Sequence, residues 1–286
     1  MNVKYEITKC IPDRLYIQLL FFRHLHKRIN LEQPKAFNEK LQWLKLYDRN
    51  PEYTKMVDKY AVKQYVSEKI GSEFIIPTLG VWDNPEDINF SDLPDRFVLK
   101  WNHDSGSIVI CTDKSILDRR EAVSRLKSRQ KFSGFWYARE WPYKDVVPKV
   151  IAEKYIEDSS GYLNDYKLMC FNGKVRCSFV CTDRFSGDGL KVTFYDRSWN
   201  QMPFSRHYPV SDMPVPRPKN YDALVHLAEK LSEGIPFVRV DFYEVNDRVY
   251  FGEMTFYPGS GLEEFDPEKW DYVLGSWLEL PVNKLK

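Results

Sequence analysis

Two acidic residues near the end of the chain have the spacing of a metal-binding β-hairpin. Side chains alternate between the faces of a strand, so Arg239 and Asp241 share one face, and Glu253 and Thr255 share a face of the next strand. A turn at Asn246-Asp247 places Asp241 nearly opposite Glu253, with Thr255 opposite or diagonal to Arg239. Facing carboxylates repel each other, and a bridging divalent cation such as Mg²⁺ makes the arrangement favourable. The alternative is that both acids are ordinary charges on an exposed strand face.

A lysine at the end of an apolar strand has the features of a phosphate-binding group. Lys100 ends the run Phe97–Lys100 and precedes a short polar loop that contains Ser105, Gly106 and Ser107. Backbone N–H groups and serine hydroxyls of such a loop bind anionic oxygens, while the lysine supplies positive charge. The sequence contains no Walker A motif. The alternative is a solvated β-hairpin with its lysine in solvent.

The segment Val150–Glu157 is a third candidate. An apolar strand leads there into alternating charged and apolar residues, Glu153, Lys154, Tyr155 and Ile156. Exposed backbone groups at a strand end, with apolar neighbours and an acid for ribose hydroxyls, suit purine recognition. An edge strand without a ligand explains the same pattern.

The elements that position these residues predict an α+β fold. The first 70 or so residues have helical patterns, including Asn38–Tyr47 and a longer helix over Tyr53–Ile70. Short apolar runs separated by turn residues follow and predict strands. We therefore expect a helical segment over residues 1–70, a first lobe over 71–148 and a second lobe with the metal-binding hairpin over 149–286.

The composition is that of a folded protein that does not bind polyanions through bulk charge. Of 286 residues, 42 are Lys or Arg and 41 are Asp or Glu, so the net charge is +1. This balance argues against nucleic acid as a partner. Five irregularly spaced cysteines do not form a disulfide framework, and basic residues follow rather than precede the short apolar run Leu15–Phe22. The sequence predicts a cytoplasmic protein without a transmembrane segment.

Taken in this order, the three features resemble the ATP-grasp superfamily over most of residues 55–261. The resemblance implies a fold in which two α+β lobes clamp ATP, with a helical segment preceding it here. It implies that Lys100 and the loop of Ser105, Gly106 and Ser107 contact the nucleotide phosphates. The other implied site residues are Glu153, Lys154, Tyr155 and Ile156 as the adenine-binding hinge, Lys167 and Arg239 as catalytic cations, and Asp241, Glu253 and Thr255 as magnesium ligands.

Residues 34–47 and Asp58-Lys59-Tyr60 resemble, more narrowly, the signature of the TupA-like ATP-grasp proteins. Those proteins are found with surface-polysaccharide and teichuronopeptide biosynthesis. Two positions depart from the superfamily pattern. Thr255 stands where the usual enzymes carry Asn, so a weaker hydroxyl ligand, or a metal-bound water held by it, replaces an amide carbonyl. The phosphate loop has one glycine, Gly106, where many relatives have more.

The resemblance implies an ADP-forming carboxylate–amine ligase that uses ATP and Mg²⁺. An acceptor carboxylate attacks the γ-phosphorus while Lys100, Lys167 and Arg239 neutralise the transferring oxygens, and the acyl-phosphate then reacts with an amine. Family association points to a uronic-acid carboxylate as the acceptor, an amino acid as the amine, and peripheral contact with polysaccharide machinery. We expect the two acids to lie in an exposed cleft, so that replacing either one abolishes turnover with little loss of stability.

Other functions are compatible with parts of the pattern. A kinase-like phosphotransferase would make a stable phosphoester of a sugar hydroxyl, and a glycosyltransferase would prefer a nucleotide sugar to ATP. A non-catalytic binding module on the same fold is a further alternative. The aromatic segment Phe132–Lys144 is a candidate sugar platform in which Arg139 or Lys144 meets a uronate, although core packing explains the same aromatic residues.

Overall fold

Helices dominate residues 8–70, as the sequence predicts. The structure, a computed structural model, describes residues 8–159, 163–182 and 189–281. The helices of this first part are α1, Asp13–Leu25; α2, Phe37–Tyr47; α3, Glu52–Val57; and α4, Val62–Ile70.

Helix α2 has one apolar face and a capped start. Phe37, Leu41 and Leu44 recur at helical spacing and are all buried. At the N-terminus the Glu39 carboxylate accepts a hydrogen bond of 3.1 Å from the N–H of Ala36, a backbone group without a partner inside the helix. The buried face belongs to the same apolar core as the second sheet, so α2 is an integral part of the fold.

The prediction of a single helix over Tyr53–Ile70 is wrong, because the chain forms two helices there, α3 and α4, which are separated at Asp58. The Asp58 backbone is extended, with ψ of 110°, and its carboxylate accepts hydrogen bonds from the N–H groups of Tyr60 and Ala61 at 2.8 and 3.1 Å. An aspartate that binds the following backbone N–H groups favours the start of a new helix over continuation of the old one. The interruption brings Lys59 to the cavity described below.

The first sheet has four antiparallel strands in the order β1, β4, β2, β3. These strands are β1, Thr78–Trp82; β2, Phe97–Trp101; β3, Val109–Cys111; and β4, Val150–Lys154. Helix α5, Arg119–Arg129, packs on this sheet, and the Trp101 indole donates to the Leu126 carbonyl at 2.8 Å. The division of the chain at residue 148 stays a prediction. Strand β4 bonds to strands on the other side of that division.

The second sheet has five antiparallel strands in the order β10, β9, β5, β6, β7. Its strands are β5, Asn164–Phe171; β6, Lys174–Thr182; β7, Lys191–Asp196; β9, Phe237–Val245; and β10, Arg248–Thr255. The remaining elements are helices α6, Gly134–Ala138, α7, Tyr221–Leu231, and α8, Lys269–Trp277, and the short paired strands β8, Ser205–Arg206, and β11, Phe265–Asp266. The expected α+β class is confirmed.

The hairpin of β9 and β10 has the predicted register. Its turn residues Asn246-Asp247 have φ of 49° and 64°, the left-handed conformation that tight two-residue turns favour. Glu253 pairs with Asp241, and Thr255 pairs with Arg239. The four side chains therefore gather at one place on the sheet.

Apolar cores behind both sheets hold these strands in place. In the first sheet Leu99 of β2 is buried with Leu126 of α5. In the second, Val240 and Phe242 of β9 are buried in the same core as Leu224 of α7. Since side chains alternate along β9, the residues between them are left for the opposite, polar face. Among the helices of the described ranges, none has the length and apolar character needed to span a membrane.

Candidate active site

One cavity receives side chains from both sheets. Its volume is about 390 Å³. The charged residues that line it are Lys59, Lys100, Lys167, Arg206 and Arg239, and Asp104, Asp165, Asp241, Glu253 and Glu263. The predicted site residues in its lining are Lys100, Ser105, Lys167, Arg239, Asp241 and Glu253, whereas Gly106, Ser107, Glu153, Lys154, Tyr155, Ile156 and Thr255 are not part of the lining.

The oxygens of the three predicted metal ligands converge on one nitrogen. Arg239 Nη2 lies 2.7 Å from Asp241 Oδ2, 2.8 Å from Glu253 Oε1 and 3.0 Å from Thr255 Oγ1. Arg239 Nε donates a further bond of 2.7 Å to Asp241 Oδ1, which makes the contact with that carboxylate bidentate. The guanidinium thus relieves the repulsion between the two facing acids.

Lys167 is a second buried cation beside Asp241. Its Nζ lies 2.5 Å from Asp241 Oδ2 and 2.6 Å from Asp165 Oδ2. Burial disfavours the charged lysine, but the two aspartates outweigh it and raise the pKa of Lys167. Burial raises the pKa of Asp241, against the effect of Arg239 and Lys167. The expectation of an exposed cleft acid is wrong for Asp241, which is only 1% exposed because these cations and the sheet enclose it.

Glu253 is the more accessible acid of the pair, with 30% of its side chain exposed. Its Oε2 lies 3.4 Å from Lys59 Nζ, which also donates to the Asp104 carbonyl at 2.8 Å. Burial opposes ionisation of Glu253, but Lys59 and then Arg239 outweigh it, so the pKa of Glu253 is well below its ordinary value. Glu253 therefore presents a carboxylate to the cavity.

Lys100 is held by an acid of the neighbouring strand. Its Nζ lies 2.5 Å from Glu153 Oε2, and Lys63 Nζ lies 2.7 Å from Glu153 Oε1. Burial opposes the charge of Glu153, but the two lysines outweigh it and lower the pKa of this carboxyl. Glu153 is thus placed to orient Lys100 toward the cavity.

Strand β4 ends at Lys154, and the residues after it leave the sheet. Lys154 is exposed, and its N–H donates to the Pro77 carbonyl at 2.9 Å. The Arg96 guanidinium lies 4.3 Å from the centroid of the Tyr155 ring, and Ile156 is half-buried. The adenine-binding role of this segment stays a prediction.

The loop after β2 is tied together by its own side chains. Ser107 Oγ donates to Asp104 Oδ1 at 2.8 Å, and Arg129 Nε lies 3.1 Å from Asp104 Oδ2. Ser107 is fully buried, whereas Ser105 and Gly106 are exposed. Ser105 is therefore the hydroxyl of this loop that is available to an anion in the cavity.

Comparison with known families shows which family the chain matches. The family described as TupA-like ATPgrasp matches residues 39–279, most of the chain. The chain belongs to the TupA-like ATP-grasp family. The resemblance drawn from the sequence is thereby confirmed. No curated protein matches the chain.

Solved structures with distant similarity to this TupA-like protein include ATP-grasp ligases. The ligase PsnB, complexed with a phosphomimetic variant of its minimal precursor, Mg and ADP, is 12% identical, with a TM-score of 0.41 over 76% of this chain and 57% of PsnB. D-alanine–D-alanine ligase from Bacillus anthracis, complexed with ATP, is 14% identical, with a TM-score of 0.41 over 78% of this chain and 57% of the ligase. D-cycloserine synthetase DcsG is 15% identical, with a TM-score of 0.43 over 79% of this chain and 71% of DcsG. The TupA-like chain thus spans less than two thirds of the length of the first two.

The oxygens at the TupA-like hairpin suit a hard divalent cation. Within residues 8–159, 163–182 and 189–281, no group of three or more His, Cys, Asp or Glu side chains is arranged to hold a metal ion. Mg²⁺ commonly binds through one or two protein carboxylates, with waters and substrate phosphates as the other ligands. Asp241, Glu253 and Thr255 match that smaller set, and their oxygens already surround a cationic nitrogen. Binding of Mg²⁺ by these oxygens would require the Arg239 guanidinium to move away from them.

Basic residues that the sequence reasoning missed complete the site. Lys59 lines the cavity, Lys63 holds Glu153, and Arg206 lines the cavity beside Glu263. Lys59 lies inside the motif Asp58-Lys59-Tyr60, so the family signature contained the signal for this residue. Lys63 and Arg206 carry no local signal, because only the packing of distant segments brings them to the site.

The segment Phe132–Lys144 packs against helix α1, and its residues, all of them described, are absent from the cavity lining. Arg139 is 1% exposed, with its Nε 2.8 Å from Asp13 Oδ1 and its guanidinium 4.3 Å from the Tyr16 ring centroid. Burial lowers the pKa of Arg139, although the neighbouring Asp13 carboxylate acts in the opposite direction. The expectation that Arg139 meets a uronate is wrong, because the protein interior encloses it.

Acid is expected to destabilise the protein partly through Glu153. Its pKa in the folded state is below the ordinary 4.5, so the stability it contributes is present above that value and is lost as the pH falls through the folded pKa. The free energy of unfolding of Glu153→Gln should therefore fall less steeply than that of the wild type between about pH 5 and pH 3, measured by urea unfolding. Glu157→Gln serves as the control, because the Glu157 side chain, which pairs with Arg96, is 49% exposed. Equal slopes for wild type and Glu153→Gln would contradict the role of this pair.

Proposed function

We propose that this TupA-like protein is an ATP-dependent carboxylate–amine ligase that forms ADP. The observation that carries the proposal is the charge arrangement of one cavity. Lys100 of the first sheet and the pair Asp241 and Glu253 of the second sheet line the same space. Lysines bind phosphate oxygens, and paired carboxylates hold the divalent cation that accompanies a nucleotide. Family membership supports ATP as the nucleotide.

Different basic residues of the cavity bind different parts of the triphosphate in this proposal. Lys100, oriented by Glu153, and Lys59 are placed to bind phosphate oxygens, and the exposed Ser105 hydroxyl can donate to them. Lys167 and Arg239 neutralise the charge that spreads over the oxygens of the transferred phosphoryl group. Mg²⁺, held by Asp241, Glu253 and Thr255, would act there as a Lewis acid. The loop around Gly106 would exclude water from the acyl-phosphate.

The finer proposal concerns the substrates. Family association favours a uronic-acid carboxylate of a surface polysaccharide, or its precursor, as the acceptor and an amino acid as the amine. The cavity supports an anionic acceptor, because Arg206 and Arg239 both line it. Peripheral contact with polysaccharide machinery at the cytoplasmic side belongs to the same proposal.

Two measurements test the function directly. Mg·ATP should raise the melting temperature, since a ligand that binds only the folded state stabilises it. Incubation of the protein with Mg·ATP, a panel of uronates and the amino acids should release phosphate and yield a product with the mass of an amide. A stable phosphoester with ADP would indicate a kinase instead, and stabilisation by UDP-sugars but not by Mg·ATP would indicate a glycosyltransferase.

Removing the Lys100 charge should weaken nucleotide binding. Lys100→Met loses a charged hydrogen bond, worth about 1.5–3 kcal/mol, so the Kd of Mg·ATP should rise roughly 10-fold to 100-fold in calorimetry. Lys174→Met is the matched control, because the Lys174 side chain is 66% exposed and outside the cavity lining. Unchanged binding by Lys100→Met would remove this lysine from the site.

A further inference from the structure

Helix α2 contains a fully buried lysine. Lys45 is 0% exposed, and its ammonium donates to Gln42 Oε1 at 2.9 Å, the Ala138 carbonyl at 3.0 Å and the Ser260 carbonyl at 2.7 Å. These acceptors use all three ammonium hydrogens. Burial lowers the pKa of Lys45 to about 8, against the effect of Glu140. A buried charge is costly unless it is fully hydrogen-bonded. The Lys45 ammonium therefore holds its three acceptors in place.

Neighbours of this lysine hold the loop of residues 258–261. Gln42 Nε2 donates to the Ser260 and Gly261 carbonyls at 2.9 and 2.8 Å. Ser260 Oγ donates to Glu140 Oε1 at 2.5 Å. A Cβ at Gly261 would lie only 2.7 Å from Gln42 Nε2, which shows how closely the helix approaches the loop. The loop is therefore bonded to α2 and to the segment that follows α6.

The loop has a conformation that needs such bonds. Gly259, Ser260 and Gly261 have φ of 57°, 55° and 60° in succession. A left-handed backbone costs a residue with a side chain, here Ser260, about 1–2 kcal/mol. Pro258 and Gly259, at the start of the loop, line the cavity.

The part of the cavity next to this loop is separate from the predicted phosphate loop. Arg206 Nη2 donates to the Pro258 carbonyl at 2.8 Å, and Arg206 Nε lies 3.3 Å from Glu263 Oε2. Tyr208 lines the cavity with them. These residues come from β8, the chain just after it and the chain before β11, whereas the predicted phosphate-binding groups Lys100, Ser105, Gly106 and Ser107 come from β2 and the loop that follows it. We call Arg206, Tyr208, Pro258, Gly259 and Glu263 the acceptor side of the cavity.

We propose that Lys45, Gln42 and Glu140 are positioning residues for the acceptor substrate. This inference rests on the proposed ligase function. The three side chains hold the loop 258–261 in its left-handed conformation, and the loop in turn shapes the acceptor side. Helix α2 thereby acts on the reaction although none of its residues lines the cavity. The nucleotide-binding groups have other supports, such as Glu153 for Lys100.

The inference is tested by measuring the KM for the acceptor and the Kd of Mg·ATP in the same variants. The acceptor probe is the uronate of the panel that gives the largest phosphate release with wild type. Ser260→Ala loses one bond to the loop and should raise the KM for this probe about fivefold, as expected for about 1 kcal/mol. Lys45→Met loses three bonds and should raise it at least about tenfold. The Kd of Mg·ATP should stay within about twofold of wild type in both variants, which also shows that they are folded.

Matched substitutions show whether the bonds themselves matter. Ser276→Ala removes a hydroxyl that donates within α8, away from the loop, and should leave the KM unchanged. Glu140→Gln keeps an oxygen that accepts from Ser260 and should stay close to wild type, whereas Glu140→Met should behave as Ser260→Ala does. Recovery in Glu140→Gln shows that the hydrogen bond itself matters, and a merely structural role would not raise the KM for the acceptor while leaving the Kd of Mg·ATP unchanged.

Hydrogen exchange measures how well the backbone amides of the loop are protected, and it needs no substrate. Backbone amides of residues 257–262 should exchange faster in Ser260→Ala and Lys45→Met than in wild type. Unchanged exchange, or an unchanged KM in an active enzyme, would overturn the positioning role. Wild type that neither binds Mg·ATP nor releases phosphate would instead overturn the proposed function, and the acceptor role with it.

Discussion

The Glu253→Gln variant is expected to turn over Mg·ATP at least about 10³-fold more slowly than the wild-type protein. Glu253 presents a carboxylate to the cavity, opposite Asp241, with its pKa held low by Lys59 and Arg239 against the effect of burial. Glutamine keeps the shape and one hydrogen-bond acceptor but removes the charge that a divalent cation requires. Phosphate release under saturating Mg·ATP measures the effect.

The loss of stability in this variant should be small beside the loss of turnover. Because 30% of the Glu253 side chain is exposed, solvent screens its ion pairs, and we expect a cost of about 1–2 kcal/mol in urea unfolding. Glu268→Gln, at an ion pair with Lys27 whose acid is 55% exposed, is the control for a charge removed elsewhere. Full activity of Glu253→Gln would be incompatible with a role in holding the metal.

The Asp241→Asn variant should lose both activity and about 3–5 kcal/mol of stability. Asp241 is enclosed and faces two cations, Arg239 at 2.7 Å and Lys167 at 2.5 Å. Removal of its charge leaves each of those buried cations with one acid instead of two, Asp165 for Lys167 and Glu253 for Arg239, which costs more than the lost bonds alone. Urea unfolding followed by tryptophan fluorescence measures the change. Asp222→Asn, at a site 87% exposed, should change stability by less than about 0.5 kcal/mol.

A double substitution separates this explanation from simple loss of packing. Lys167→Met removes one of the two cations that lose an acid in Asp241→Asn, so Asp241→Asn/Lys167→Met should be less destabilised than the sum of the two single variants by about 1–3 kcal/mol. Strict additivity would show that the pair does not interact in the folded protein.

Local patterns were sufficient for part of the site. The alternation of side chains along β9 and β10, together with the turn at Asn246-Asp247, predicted that Asp241 pairs with Glu253. The apolar spacing of α2 likewise predicted a buried helix face. Both predictions concern residues that are close in sequence, where strand and helix geometry leave few alternatives.

Other features of the site depend on residues far apart in the chain. Glu153 stays a predicted adenine-binding residue, and in the folded protein its carboxylate joins Lys63 to Lys100. Ser107 stays a predicted phosphate-binding residue, and in the folded protein it is buried, with its hydroxyl bonded to Asp104. Glu153 acquired its lysine partners only when distant segments packed together, and so did Asp104, which pairs with Arg129 of α5. No local pattern records these contacts.

The amino-acid sequence by itself determined the helical start of the chain, the family and the pairing of the two acids. Periodicity, turn residues and a family signature are all properties of short segments, so they can be read before folding. The tertiary structure alone decided that Arg239 occupies the point where the oxygens of Asp241, Glu253 and Thr255 meet. It also decided that α2 supports the loop of residues 258–261. The physical reason is that the charge and burial of a group depend on every segment packed around it, including segments as far apart in the sequence as Gln42 and Ser260, which are separated by 218 residues.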